Sequence, residues 1–412
     1  IDRYGLKESD IINNGYRIYT EMDQTSQANM QVIYNDESMF PVSAYDGQSA
    51  QAASVALDPK TGAVRALVGR INSSENAAFR TFNFATQSQR SPGSAIKPLV
   101  AYAPAVAAGW SINKELDNQT TNYNGYSLEN YIGTTSEPVP MYQALAQSLN
   151  LPAVYTVNEL GINRAFEYGK KFGLNMDSVD RVLGVAIGSG VSTNPLQMAQ
   201  AYSAFANGGV MQDAHLISRI ETANGKVLAS HKGSSKRVID QAVADKMTSM
   251  MLGTFTNGTG YSADVYGYDI AGKTGTTETS FDVNLINDQW IIGYTPDLVI
   301  SQWVGYEKTD ENHYIDGSTS WMAPVVFQTV AGSLLPQTKN TGFTVKNAYA
   351  LNGLDTTNSA TPQVPANEIE DKVNYWTDRA QELLDQTQKN ITEADLPNKA
   401  KSLWDSFVDL FQ

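Results

Sequence analysis

Strand-forming segments sit near both ends of the patterned part of this chain, and helix-forming segments fill the interval. Ala53-Ser54-Val55-Ala56-Leu57 and Gly62-Ala63-Val64-Arg65-Ala66-Leu67-Val68 flank Asp58-Pro59-Lys60-Thr61. Two apolar runs around such a turn read as a hairpin. After about residue 265 strands return at 289–294 and 298–306, with Thr295-Pro296-Asp297 between them. The interval holds alanine-rich stretches at 98–109, 141–160 and 195–206. The last carries Leu196, Ala199, Ala201, Tyr202 and Phe205 near helical period. This order predicts an α+β fold, with a mixed central sheet of sequence-distant strands flanked by helices, plus an all-helical lobe. It does not fit the regular alternation of a doubly wound sheet.

The bulk properties bound the chemistry. With 412 residues, 42% hydrophobic and 17% charged, the chain has material for one large domain with small appendages. Residues 1–45 read as a polar lead-in, 46–340 as the main body, and 341–412 as a linker with a small C-terminal helical region. In that last part, 354–367 is rich in Thr, Asn, Pro and Ala, and Ile369, Val373, Trp376, Ala380 and Leu383 follow at helical spacing. The formal net charge of −14 argues against nucleic acid or an anionic membrane as main partner. The chain has no cysteine, which excludes disulfides, thiolate metal sites and a cysteine nucleophile. Its three histidines, His215, His231 and His313, lack metal-ligand spacing, so neither metal nor cofactor is expected. No apolar run reaches the roughly 20 residues of a membrane span. The chain begins at Ile1 with no recognisable signal peptide, as expected of a fragment or processed product whose anchor, if any, lay upstream.

Three short strings occur in order: Ser94-Ala95-Ile96-Lys97, Ser148-Leu149-Asn150 and Lys273-Thr274-Gly275. Together they supply a hydroxyl with a nearby amine, a second hydroxyl with an amide, and a cationic strand with small residues beside it. Those are the parts for acyl transfer through a serine ester without histidine. Ser94 follows Ser91-Pro92-Gly93 and opens an apolar run, so it is predicted to start a helix. Residues i and i+3 share a helix face, which puts Lys97 within reach of Ser94, and free N–H groups at a helix start suit an oxyanion. Pro98 falls in the first turn, where its missing N–H has no helical partner to lose, but it biases Lys97 away from helical angles. Lysine is a base only when neutral. Burial and a second cation, for which Lys273 is the candidate, lower its reference pKa of about 10.4. Ser148 can relay a proton, and Asn150 can hold a substrate amide as donor and acceptor. Gly275 within a strand implies close approach of another backbone, such as a peptide substrate added as a strand. Thr274 and Thr276 beside Lys273 suit a carboxylate.

Each string taken singly also reads as plain structure: a helix cap, a helix start, a strand end. Decoys occur as well. Ser111-Ile112-Asn113-Lys114 repeats S-x-x-K, but Lys114 runs into Glu115 and Asp117, which would hold its amine protonated. Lys60-Thr61-Gly62 repeats K-T-G inside the hairpin turn. Gly267-Tyr268-Asp269-Ile270-Ala271-Gly272-Lys273-Thr274 satisfies the phosphate-loop pattern. Yet the glycine- and threonine-rich stretch after it is a poor helix start, and Asp269 would set a negative charge among phosphates.

The sequence resembles the transpeptidase module of class A (bifunctional) bacterial penicillin-binding proteins. Further matches carry the resemblance: Gly15-Tyr16-Arg17-Ile18-Tyr19-Thr20 with Met22-Asp23, Arg90-Ser91-Pro92-Gly93-Ser94, and Ala144-Leu145-Ala146-Gln147-Ser148-Leu149-Asn150. Asn194-Pro195-Leu196-Gln197-Met198-Ala199, Asp288-Gln289-Trp290-Ile291-Ile292-Gly293-Tyr294-Thr295-Pro296 and Trp303-Val304-Gly305-Tyr306 extend it, so that it covers about residues 10–335. It implies a penicillin-binding, serine β-lactamase-like fold for 46–340, with the site between the sheet and the helical lobe. It implies that Ser94 attacks the penultimate D-Ala carbonyl of a stem peptide, Lys97 is the base, Ser148 the relay, and Asn150 orients the substrate amide. Lys273, Thr274 and Thr276, with Gly275 between them, would bind the terminal carboxylate, and the N–H groups of Ser94 and Thr276 would form the oxyanion hole. The implied partners are peptidoglycan stem peptides and β-lactam antibiotics. An upstream glycosyltransferase module and membrane anchor would lie outside this chain, and the location would be the outer face of the bacterial cytoplasmic membrane. Ala95 departs from the family, which often has a hydroxyl residue there, and the tail after 340 falls outside the resemblance.

Three relatives of this chemistry compete. A D,D-carboxypeptidase would hand the acyl group to water, and a non-catalytic penicillin-binding sensor would keep only the serine ester. A serine β-lactamase needs a deacylating glutamate, which Glu159-Leu160-Gly161-Ile162-Asn163 imitates loosely, nine residues after Asn150 and expected in the same helix. Penicillin should therefore add one covalent equivalent at Ser94 and none at Ser111, read by intact mass and peptide mapping. A Ser94→Ala variant that still acquires the adduct would overturn the assignment.

Overall fold

A computed structural model describes residues 5–71, 81–123, 125–130 and 137–351. The linker and helices expected beyond residue 353 lie outside the described residues. The hairpin forms from β1 (Gln51–Leu57) and β2 (Val64–Val68). In its turn the Asp58 N–H donates to Ala63 O at 2.9 Å, Asp58 Oδ1 accepts from the Lys60 N–H, and Gly62 adopts φ +79°. Lys60-Thr61-Gly62 is thus turn chemistry. With β3 (Ala271–Glu278), β4 (Ile286–Tyr294) and β5 (Val299–Gly305), the hairpin makes a five-stranded sheet in the order β3-β4-β5-β1-β2.

Every ladder in this sheet is antiparallel, from Ala271 opposite Tyr294 to Val299 opposite Leu57 and Ser54 opposite Val68. The expectation of mixed strand directions is corrected accordingly. Tight connections join β3 to β4 and β4 to β5, and β5 returns against the N-terminal hairpin, so no parallel neighbour requiring a crossover arises.

Among the described residues, the helices of eleven residues or more surround the sheet: α1 (Gln24–Asn35), α2 (Asn150–Leu160), α3 (Pro195–Ala206), α4 (Gln241–Thr256) and α5 (Met322–Leu334). Strand residues alternate between two cores. Val55, Leu57, Trp290, Ile292, Tyr294 and Trp303 join the helical lobe that contains α2, α3 and α4. Ala52, Ala56, Ile291, Ile300 and Val304 join α1 and α5 on the opposite face. The segment before residue 46 thus contributes Met30, Ile33 and Tyr34 to the buried interior. The apolar stretch at 141–160 is two helices, Met141–Ala146 and α2. The break falls where Ser148 takes φ 59°, a left-handed angle that a helix cannot propagate.

β2 is an edge strand, yet its outer backbone is closed. Gln27 Nε2 donates to Leu67 O at 2.9 Å, and Gln27 Oε1 accepts from the Leu67 N–H at 2.8 Å. One buried side-chain amide thereby replaces the pairing of a further strand. Gln27→Ala should leave both groups unpartnered and cost about 2–6 kcal/mol, at roughly 1–3 kcal/mol for each. Urea unfolding should show a lower midpoint with an unchanged slope; a midpoint equal to the parent's would refute the capping role.

Candidate active site

Ser94 lies in a tight 3-10 turn, Gly93–Ile96, followed by a wide π turn, Pro98–Tyr102, and only then by α-helix, Ala103–Ala107. This corrects the expectation of a regular helix starting at Ser94. In an α-helix the Ser94 carbonyl would accept from the N–H of residue 98, and proline has none. The chain tightens instead, so that the Lys97 N–H takes the Ser94 carbonyl, and widens afterwards, so that the Ala103 N–H takes the Pro98 carbonyl. Lys97 keeps helical angles, φ −51° and ψ −44°, against the bias of a following proline. From α3, the Tyr202 hydroxyl donates to Ala95 O at 2.6 Å and pins the turn from behind.

Missing side chains bring three segments together. A Cβ on Gly275 of β3 would lie 2.4 Å from Pro92 O and 3.0 Å from the Ala95 N. One on Gly93, at φ +50°, would lie 2.5 Å from Thr276 O. One on Gly188 would lie 2.8 Å from Gly93 O. The close approach expected at Gly275 is therefore made by the chain's own residues 92–95. The Ser91 hydroxyl donates to Gly188 O at 3.1 Å, and the Trp290 indole donates to Ser91 O at 2.9 Å.

Behind this approach lies a charge pair that sequence reasoning passed over, a buried Asp288 with a half-buried Arg90. The Asp288 carboxylate accepts from Trp303 Nε1 at 2.8 Å and from Thr277 Oγ1 at 2.9 Å, with Arg90 Nη1 3.7 Å away. Burial pushes the Asp288 carboxyl above the usual range and Arg90 opposes that push. Arg90 also lies over the Trp303 ring at 4.9 Å and donates to Tyr306 O and Glu307 O. The carboxylate thus joins the strand beside Thr276 to the segment that delivers Ser94.

The Lys97 side chain is 0% exposed, and its Nζ donates to Ser148 O at 2.7 Å, Leu149 O at 3.1 Å and Asn150 Oδ1 at 2.7 Å. All three acceptors come from the second string, and none is Ser94. The left-handed Ser148 turns these carbonyls toward the amine. Asn150 and Leu151 donate their N–H groups to Asn130 Oδ1 at 2.8 and 3.0 Å, which caps α2 from a separate loop. Asn150 Nδ2 donates to Glu129 O at 3.2 Å, so both ends of its amide are engaged. Burial, and then the charge of Lys273, holds the Lys97 amine well below the ordinary lysine range. Lys273, also 0% exposed, is brought by burial to about 7; its Nζ donates to Thr274 O at 2.9 Å. Thr274 shares a hydroxyl–hydroxyl hydrogen bond with Thr259, and Thr276 is exposed at the end of β3.

The competing motifs fall elsewhere. Lys273 lies within β3 and no helix opens at it, so the phosphate-loop context is absent. Lys114 Nζ sits 4.9 Å over the Trp110 ring, away from these contacts. Glu159 is exposed on α2, about 13 Å along the axis from Asn150 at 1.5 Å per residue.

A sequence profile described as penicillin binding protein transpeptidase domain matches residues 52–330, which include every candidate residue. The chain belongs to this family. Over 416 residues it is 59% identical to penicillin-binding protein 2a of Streptococcus pneumoniae, covering 100% of this chain and 57% of that protein. Over 324 residues it is 33% identical to penicillin-binding protein 1F of Bacillus subtilis, covering 78% of this chain and 44% of that one. The chain thus spans about half the length of these curated relatives. PonA1 of Mycobacterium tuberculosis, solved in complex with penicillin V, superposes with a TM-score of 0.71 at 25% identity, over 83% of this chain and 92% of PonA1.

For this penicillin-binding transpeptidase domain the two depressed lysines set a pH dependence. Lys97, the expected base, can accept a proton only when neutral, so acylation by a fluorescent penicillin should rise as pH climbs through its lowered pKa. Lys273→Ala removes the repelling cation, raises the Lys97 pKa and should move that rising limb to higher pH. A limb left in place would refute the coupling. Stability follows the same direction: unfolded lysines bind more protons than these two, so their burial costs most at low pH and the cost fades as pH rises toward about 10.4.

Proposed function

We propose that this chain is the catalytic module of a D,D-transpeptidase that cross-links peptidoglycan stem peptides through a serine acyl-enzyme and is acylated by β-lactams. The observation that carries the reading is the buried Lys97 amine, depressed by burial and by Lys273, one turn from a serine set against the Lys273 strand. An ammonium has three N–H donors and a neutral amine two. On losing its proton, Lys97 must release one of its three oxygen partners, and its lone pair is then free to turn to Ser94. The Ser94 hydroxyl attacks the penultimate D-Ala carbonyl, and its proton passes to Lys97. Ser148 relays that proton to the departing D-Ala nitrogen as the C–N bond breaks. Lys273, Thr274 and Thr276 take the terminal carboxylate, while Gly275 leaves room for the Ser94 turn. Asn150 orients the peptide amide, and the N–H groups of Ser94 and Thr276 receive the oxyanion. An amine of a second stem peptide then attacks the ester carbonyl, the ester C–O bond breaks, and Ser94 recovers its proton.

The family match over 52–330 supports 46–340 as the catalytic domain, with 1–45 leading in and 341–412 as the C-terminal region. The greater length of the relatives supports a full-length protein with an upstream glycosyltransferase module and a membrane anchor, working on the outer face of the bacterial cytoplasmic membrane. Among the described residues no helix is long and apolar enough to cross a membrane.

Glu159 is exposed on α2, about 13 Å along the axis from Asn150, which favours transfer over hydrolysis. The penicilloyl adduct should therefore persist for many minutes, and an added amine should shorten the lifetime of an acyl-enzyme made from a thioester substrate. Clearance of the adduct within seconds would make the chain a hydrolase. Rapid D-Ala release without cross-links would mark a carboxypeptidase, and acylation without peptide turnover a sensor.

A further inference from the structure

Away from the Ser94 cluster lies a hollow lined largely by polar side chains. Asn122, Tyr123, Asn158, Ile162, Arg181 and Leu183 line a cavity of about 460 Å3, within the size range of ligand sites. Arg181 is exposed yet held: its Nη1 donates to Asn163 Oδ1 at 2.6 Å, and its guanidinium lies 4.7 Å over the Phe166 ring. A guanidinium fixed in one plane presents the fork that takes a carboxylate. Asn122 Oδ1 accepts from the Gly125 N–H at 2.6 Å and Asn158 Nδ2 donates to Glu159 Oε1 at 3.3 Å, which leaves the Asn122 amide nitrogen as a donor and the Asn158 amide oxygen as an acceptor for a peptide backbone. Two carboxylates act on the tyrosine in its wall. Burial, then the charge of Asp117 with a smaller part from Glu159, pushes the Tyr123 hydroxyl above its usual range, and burial with the same two carboxylates does so for Tyr155.

The cavity is connected to Ser94 through two elements. Asn158 is on α2, about 12 Å along the axis from Asn150. Leu183 opens the 3-10 turn Leu183–Ile187, and the next residue, Gly188, lies against Gly93. An extended peptide rises about 3.3 Å per residue, so roughly four residues span that interval. The two peptides of a cross-linking reaction cannot share one seat, and the donor is assigned to the edge of β3.

We propose that this cavity seats the acceptor peptide, with Arg181 on its terminal carboxylate and Asn122 and Asn158 on its backbone, leaving its amine to reach the Ser94 ester. The inference rests on the transpeptidase reading. Its test follows the partition of an acyl-enzyme, made from a thioester donor, between water and two acceptor peptides that differ only in a C-terminal carboxylate or amide. The parent, Arg181→Ala and Arg181→Lys are compared, with transfer normalised to the sites each protein titrates with penicillin.

The parent should favour the carboxylate acceptor about tenfold, the scale of one charge-assisted hydrogen bond. Arg181→Ala should lose that preference, and Arg181→Lys should restore part of it. An unchanged preference in Arg181→Ala, or none in the parent, would remove the acceptor seat and leave the transpeptidase reading intact. Failure of the parent to take up penicillin would bring down both.

Discussion

A lysine taken fully out of water, with its amine surrounded by three oxygens, is the constraint around which this site is organised. Burying an ammonium is costly, and the cost is offset only if the surrounding groups are fixed in place. Ser148 O, Leu149 O and Asn150 Oδ1 are fixed because the chain breaks its helix at a left-handed serine and restarts under the cap of Asn130. The same burial makes the amine willing to give up its proton. The contacts that hold the ammonium and the desolvation that destabilises it oppose one another, and Lys273 adds its repulsion to the second.

The serine end of the site is held in another way, by backbone packed on backbone. Gly93, Gly188 and Gly275 allow separations that a Cβ would forbid, so the Ser94 turn is clamped between β3 and the 183–188 turn. Arg90 and Asp288 stand behind this clamp. Because Asp288 also holds Thr277 and Trp303, the strand and the turn share one buried anchor, and neither shifts without disturbing the other.

Local pattern made much of this legible. The hairpin at 53–68, the strands near 290 and 300, and the three strings in order are features of neighbouring residues. Gly275 announced a close approach, although not its partner. What stayed hidden depends on residues far apart in sequence. Asn130 caps a helix twenty residues on, Gly188 meets Gly93, and Tyr202 pins Ala95; no periodicity in one segment encodes such meetings. The π turn at 98–102 was legible in principle, since Pro98 removes the hydrogen bond that an α turn would need. The left-handed angle of Ser148 was not, because serine rarely adopts it and only the oxygens converging on Lys97 explain it.

The two edges of the central sheet are treated differently. Gln27 occupies the outer backbone of β2, so that side cannot be extended by another chain. β3 remains the other edge, with its small residues and hydroxyls. That asymmetry has a consequence for assembly: these sheets cannot stack into ribbons through β2, and any strand that joins the open edge must arrive beside the lysine and the serine.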